Sequence, residues 1–130
     1  MRKILFRGLR IDGGGWIEGD LRQWSDSKVG ICSDVIQRTL QVIPGSVGQF
    51  TGLYDVLGNR IYEGDIIKGG INLFSFEGAV FYSDDNAQYG VKTGNGESNY
   101  SFLHKRFISS YNIHVIGNIF DNERLEHERI

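Results

Sequence analysis

The chain has 130 residues, 40% of them hydrophobic and 23% charged, which is the size and balance of one globular domain with its own core. A formal net charge of −2 excludes a general electrostatic grip on nucleic acid, which depends on many lysine and arginine contacts to phosphate. The single cysteine, Cys32, excludes an intrachain disulfide and a cysteine-built zinc centre.

Eighteen glycines stand against one proline, with eight Phe, six Tyr and two Trp; this composition favours short strands and tight turns over long helices. Residues 3–7 read as a strand, 10–15 as a glycine-rich turn and 16–21 as the returning strand, because Asp12, Gly13, Gly14 and Gly15 supply the turn chemistry a tight reversal needs. The basic residues Arg2, Lys3, Arg7 and Arg10 around this hairpin read as exposed strand charges. Two further strands are expected at 29–32 and 40–43, with 33–38 either a link or a helical turn.

The pattern is clearest over residues 48–67. A strand at 49–54 leads into the turn Asp55, Val56, Leu57, Gly58, whose terminal Asp and Gly are type I preferences, and a strand at 59–62 returns. Glu63, Gly64 and Asp65 then suggest a bulge or sharp bend, the strand resumes at 66–68, and Gly69 with Gly70 is expected to break it. Strands follow at 74–76, 78–83 and 88–93, with a turn at Asp84, Asp85 and Asn86. The small polar stretch 94–99 reads as a mobile surface loop. Residues 103–108 suit a short helix, 111–120 carry the alternation of a half-buried strand, and Asp121 or Asn122 is placed to cap a last helix running to Arg129, with Glu123 and His127 on one face. The segment Trp16, Ile17, Glu18, Gly19, Asp20, Leu21 echoes Ile61, Tyr62, Glu63, Gly64, Asp65, Ile66, which predicts the same acidic bend twice. The expected fold is mainly β: a small barrel, SH3-like being one form, or strongly bent antiparallel sheets, with a short C-terminal helix. It is read as one domain over 1–130, with an N-terminal hairpin region at 1–46, a barrel-like region at 47–93 and a C-terminal strand and helix at 109–130.

Three stretches together carry a family pattern. Ile4, Leu5, Phe6, Arg7, Gly8, Leu9, Arg10, Ile11 and Asp12 precede Trp16 and the strand behind it. Pro44 leads through Gln49, Phe50, Thr51, Gly52 and Leu53 to Tyr62, Glu63, Gly64, Asp65 and Ile66. Val115, Ile116, Gly117, Asn118, Ile119 and Phe120 follow near the end. In order and spacing they resemble the YopX family of small proteins encoded by bacteriophages and prophages, mainly of Gram-positive bacteria. The resemblance implies a β-rich fold, action in the bacterial cytoplasm and self-association, and it carries no catalytic residues. The family often has a proline soon after the last asparagine, where this chain has Asn122 followed by Glu123.

No catalytic constellation stands out. Two bends could bring Glu18, Asp20, Glu63 and Asp65 together as oxygen ligands for a divalent cation, as a metal-dependent hydrolase requires, against the plainer reading of solvated acids beside glycines. His104, His114 and His127 lack the spacing of a zinc-binding helix and read as surface or strand histidines, and Cys32 reads as a buried, inert thiol. The run from Thr93 to Ser98 lacks the Gly-Lys-Ser/Thr ending of a phosphate loop. Trp16, Tyr54, Tyr62, Tyr82 and Tyr89 suit either a stacking platform for single-stranded nucleic acid or cross-strand pairs within the fold. With no signal sequence or spanning stretch at hand, the chain reads as a cytoplasmic, non-enzymatic module without a cofactor. It is expected to self-associate and to bind a phage or host protein, and Trp16, Glu18, Asp20, Tyr54, Tyr62, Glu63 and Asp65 are the residues to examine for a ligand or partner surface.

Overall fold

The computed structural model describes residues 2–93 and 100–122. The chain divides into two compact units, Met1–Gly52 and Leu53–Ile130.

The first unit holds β1 (Phe6–Leu9), β2 (Trp16–Ser25), β3 (Lys28–Ser33), β4 (Arg38–Val42), a 3-10 turn at Pro44–Ser46 and β5 (Gly48–Tyr54), whose end runs into the second unit. The strands lie in the order β4-β3-β2-β1-β5, all antiparallel. In the β1–β2 reversal Asp12 accepts from the Arg10 guanidinium at 2.7 and 3.0 Å and from the Gly14 N–H, and the Arg10 side chain holds the Asp12 carboxyl below its usual range. The sheet bends so far that the end of β1 meets β4 in a single bridge, Arg10 to Val42. Gly8 permits this bend, because a Cβ there would stand 2.8 Å from the Val42 side chain. Ser46 fixes the 3-10 turn beneath β1, its buried hydroxyl accepting from the Leu9 N–H at 2.8 Å. Ile17, Val29, Ile31 and Val42 form the core, with Phe6, Leu21, Leu40 and Val47 against it. The sheet stays open, since one bridge closes no ladder.

The second unit begins with the hairpin turn after β5. Asp55 and Gly58 form the expected type I turn, the Gly58 N–H donating to the Asp55 carbonyl at 3.0 Å. There follow β6 (Arg60–Tyr62), β7 (Asp65–Ile71), β8 (Phe74–Ser83), β9 (Gln88–Lys92), β10 (Tyr100–Phe102), α1 (Lys105–Ser110) and β11 (His114–Asn118). The main sheet has the order β10-β9-β8-β7-β11, with antiparallel neighbours. Ile61, Ile67, Val80, Val91, Leu103, Ile108 and Ile113 are its core, and Phe76, Tyr89, Phe107 and Tyr111 pack against them. Among the described residues neither sheet closes into a barrel; of the two forms expected, the bent open sheet is the one present. The expected barrel-like stretch 47–93 spans the boundary of the two units.

Several local expectations are corrected. Strand β1 begins at Phe6 rather than Lys3. At 34–37, by contrast, the expected turn links β3 and β4, closed by the Gln37 N–H donating to the Ser33 carbonyl at 2.8 Å. Gly69 and Gly70 lie inside β7 instead of ending it, because a Cβ on Gly69 would stand 2.7 Å from the Tyr111 carbonyl oxygen, and the Gly70 N–H donates to that oxygen at 2.8 Å. These glycines let the segment before β11 cross the strand. Residues 74–83 are one strand rather than two. The final helical turn starts at Ile119, earlier than expected, because Asn118 is the cap: its Oδ1 accepts from the Asp121 N–H at 2.8 Å while its Nδ2 donates to Asp121 Oδ2 at 2.9 Å. The loop expected at 94–99 and the Glu123–His127 pair lie outside the described residues.

Candidate functional site

The sequence echo hides two different structures. Gly64 has φ of 91° and sits in the turn between β6 and β7, where its N–H donates to the Val80 carbonyl at 2.8 Å and its carbonyl accepts from Ile119. That is the bend expected of Glu63, Gly64 and Asp65. Gly19 lies in the middle of β2, paired with Phe6, and it is glycine because the Cys32 backbone packs against it, the carbonyl carbon 2.8 Å from where a Cβ would stand. Glu18 and Asp20 are therefore exposed neighbours on a continuous strand, and the second bend does not exist.

Asp65 is buried and its Oδ2 accepts from the Tyr62 N–H at 2.7 Å, so this carboxylate ties the β6–β7 turn. Glu63 is half-buried in the same turn. The acid pairs belong to different units, and among the described residues no three His, Cys, Asp or Glu side chains gather as a metal site. Of the aromatics expected to form a platform, Tyr62 is only 4% exposed and faces the core. Trp16 lies 5.0 Å from the Arg7 guanidinium, and Tyr82 and Tyr89 meet edge to face at 5.1 Å as a cross-strand pair. Tyr54 is exposed. Tyr62 is therefore not available to receive a base.

Two polar residues whose long-range or capping roles are not evident from the sequence organise the second unit. Asp55 is almost fully buried; its Oδ1 accepts from the N–H of Leu57 at 3.0 Å and of Asn59 at 2.8 Å, and its Oδ2 from the N–H of Val115 at 2.9 Å and the Asn59 amide at 3.3 Å. Burial pushes its carboxyl up, but these donors outweigh burial and hold it below the usual carboxylate range. The same turn donates the Val56 N–H to the Ile113 carbonyl at 3.0 Å, so it covers the outer edge of β11. His104 is the cap of α1, its Nδ1 accepting from the Phe107 N–H at 3.1 Å. Cys32 is half-buried rather than buried.

Three apolar side chains among the exposed ones of this unit stand together at the tip of the β7–β8 hairpin. Ile71 and Phe74 face each other at the end of the ladder and are 50% and 61% exposed, and Leu73 in the two-residue turn is fully exposed. Asn72, with φ of 56°, makes the reversal, a backbone state asparagine tolerates. Beside the tip lies an open groove of about 240 Å³ lined by Lys68, Gly69, Gly70, Phe74, Asn112 and His114, among others. In the sequence the tip is marked by Asn72 between two short apolar runs, just after the glycine pair of β7.

Fold and site together define a small, mainly β protein of two open sheets, whose acidic bend is structural and which carries an exposed apolar hairpin tip. The chain belongs to the YopX family: the family model described as YopX protein matches residues 5–126. None of the curated proteins compared with it matches. Among the described residues no helix is long and apolar enough to cross a membrane.

Proposed function

We propose that this chain is a phage- or prophage-encoded accessory protein of the bacterial cytoplasm, a non-enzymatic module that self-associates and binds a protein partner. The observation that carries the reading is the β7–β8 tip, where Ile71, Leu73 and Phe74 present apolar surface at a turn that ordinarily holds polar residues. Family membership supports the phage origin. The structural employment of Asp65 and Asp55 supports a non-enzymatic role, because the most buried carboxylates bind backbone N–H groups of their own unit.

Sedimentation velocity tests the self-association. The wild-type chain should sediment as a species heavier than 14.7 kDa, and Leu73→Asp with Phe74→Asp should sediment as the monomer with an unchanged circular dichroism spectrum. A wild-type monomer at high concentration would remove self-association from the reading.

A further inference from the structure

Strand β2 ends in an exposed indole that the rest of the fold does not use. The β2–β3 register shifts between Gln23 and Ser25, leaving Trp24 as the extra residue of a bulge, and such bulges re-aim a side chain. Trp24 is 56% exposed. Its ring lies over Gly30, where a Cβ would stand 2.9 Å from the indole Cη2 and 2.9 Å from Thr39 Cγ2. Alternation along β2 and β3 puts Arg22 and Lys28 on this same outward face, because Val29 and Ile31 point into the core. The Lys28 ammonium stands 5.6 Å from the indole centroid. Among the described residues the Arg22 guanidinium has no hydrogen-bonded or ion-paired partner.

We infer that Trp24, Arg22 and Lys28 form a binding site for a nucleotide, with the base stacked on the indole in place of the Lys28 ammonium and the displaced ammonium, with Arg22, on the phosphate. Indole faces accept any base by stacking, and cations beside the ring select the ligands that carry phosphate. Charge also sets the ligand's path. Glu18 and Asp20 continue the same face along β2 and Asp26 stands exposed in the β2–β3 turn, so a phosphate is confined to the neighbourhood of Arg22 and Lys28. The site is independent of the β7–β8 tip, which belongs to the other unit.

Titration of the full chain at low salt with adenosine monophosphate, with oligothymidylate about eight nucleotides long and with inorganic phosphate, followed by tryptophan fluorescence and calorimetry, tests the assignment. Nucleotide affinity, read by calorimetry because the Trp24 variants lose the fluorescent reporter, should weaken about tenfold or more in Trp24→Ala, as loss of a stacked base does, and by as much in Arg22→Glu with Lys28→Glu. Trp24→Phe, which keeps a ring, should bind within a few-fold of wild type. Binding of the monophosphate assigns the site to a free nucleotide, and binding of the oligomer alone assigns it to a single strand. No saturable binding of either, inorganic phosphate bound as tightly as the monophosphate, or affinity unchanged in the variants would overturn the inference. Should Trp24→Ala lose the wild-type circular dichroism spectrum, the charge-reversal pair and Trp24→Phe decide the matter.

Discussion

Asp55 does for the second unit what a disulfide does in secreted domains of this size: it joins residues far apart in the chain. One carboxylate binds the turn at Leu57 and Asn59 and reaches Val115 sixty residues away. Hydrogen bonds to a charged group contribute about 1.5–3 kcal/mol each, and leaving their buried donors unpaired costs more than the average bond. Asp55→Ala should therefore lower stability by about 3 kcal/mol, read from the midpoint of urea unfolding. The sign of the pH effect follows from the direction of the shift. Because the folded-state carboxyl titrates below its unfolded value, its contribution is complete above about pH 4 and is lost as pH falls through the folded value. Asp55→Asn should be less stable than wild type at neutral pH, and the difference should narrow on acidification. His104 caps α1, and the two residues after it are Lys105 and Arg106; an aspartate would cap the same N–H and answer those charges. His104→Asp should raise stability by about 0.5–1 kcal/mol, and His104→Ala should lower it by about 1 kcal/mol, both measurable by thermal unfolding.

At the scale of elements, the two Glu-Gly-Asp segments show how far a local pattern reaches. The turn at Asp55 was legible because Asp and Gly at its ends serve the local backbone, and the strands on either side of it were legible by alternation. Gly64 was legible for the same reason, its φ of 91° being a local demand. The identity of Gly19 is set by the Cys32 backbone across the ladder, and Gly69 by the Tyr111 carbonyl forty-two positions on; no window of sequence contains such partners. The expected second bend and the expected break after Lys68 both failed at this point. The candidate site suffered likewise: Glu18, Asp20, Glu63 and Asp65 are alike in sequence, and only tertiary structure separates exposed strand acids from a buried carboxylate. The two glycines make separable predictions. Gly64→Ala strains the backbone while adding little volume, and Gly19→Ala drives a methyl into Cys32. Each should destabilise by about 1–3 kcal/mol. In amide exchange, Gly19→Ala should loosen the β2–β3 ladder, and Gly64→Ala the N–H groups around the β6–β7 turn.

At the scale of the whole molecule, each unit has its own core, Ile31 and Val42 at the centre of one and Ile67 and Ile113 at the centre of the other. All four are fully buried. Truncating such a residue costs about 2–5 kcal/mol, so Ile31→Ala and Ile67→Ala should be similar in severity and different in place. Hydrogen exchange should show lost protection within residues 2–52 for the first and within 53–93 for the second; an identical pattern in both would mean that the units unfold as one. The family match runs through both units, over residues 5–126. The turn at Asp55 has a last consequence for life at high concentration. By occupying the outer N–H of Val115 and the carbonyl of Ile113, it denies a passing strand the two bonds with which cross-β growth would start. An Asp55 variant should therefore form thioflavin-positive fibrils sooner than its stability alone accounts for, because a carboxylate that braces a hairpin is also a guard against amyloid.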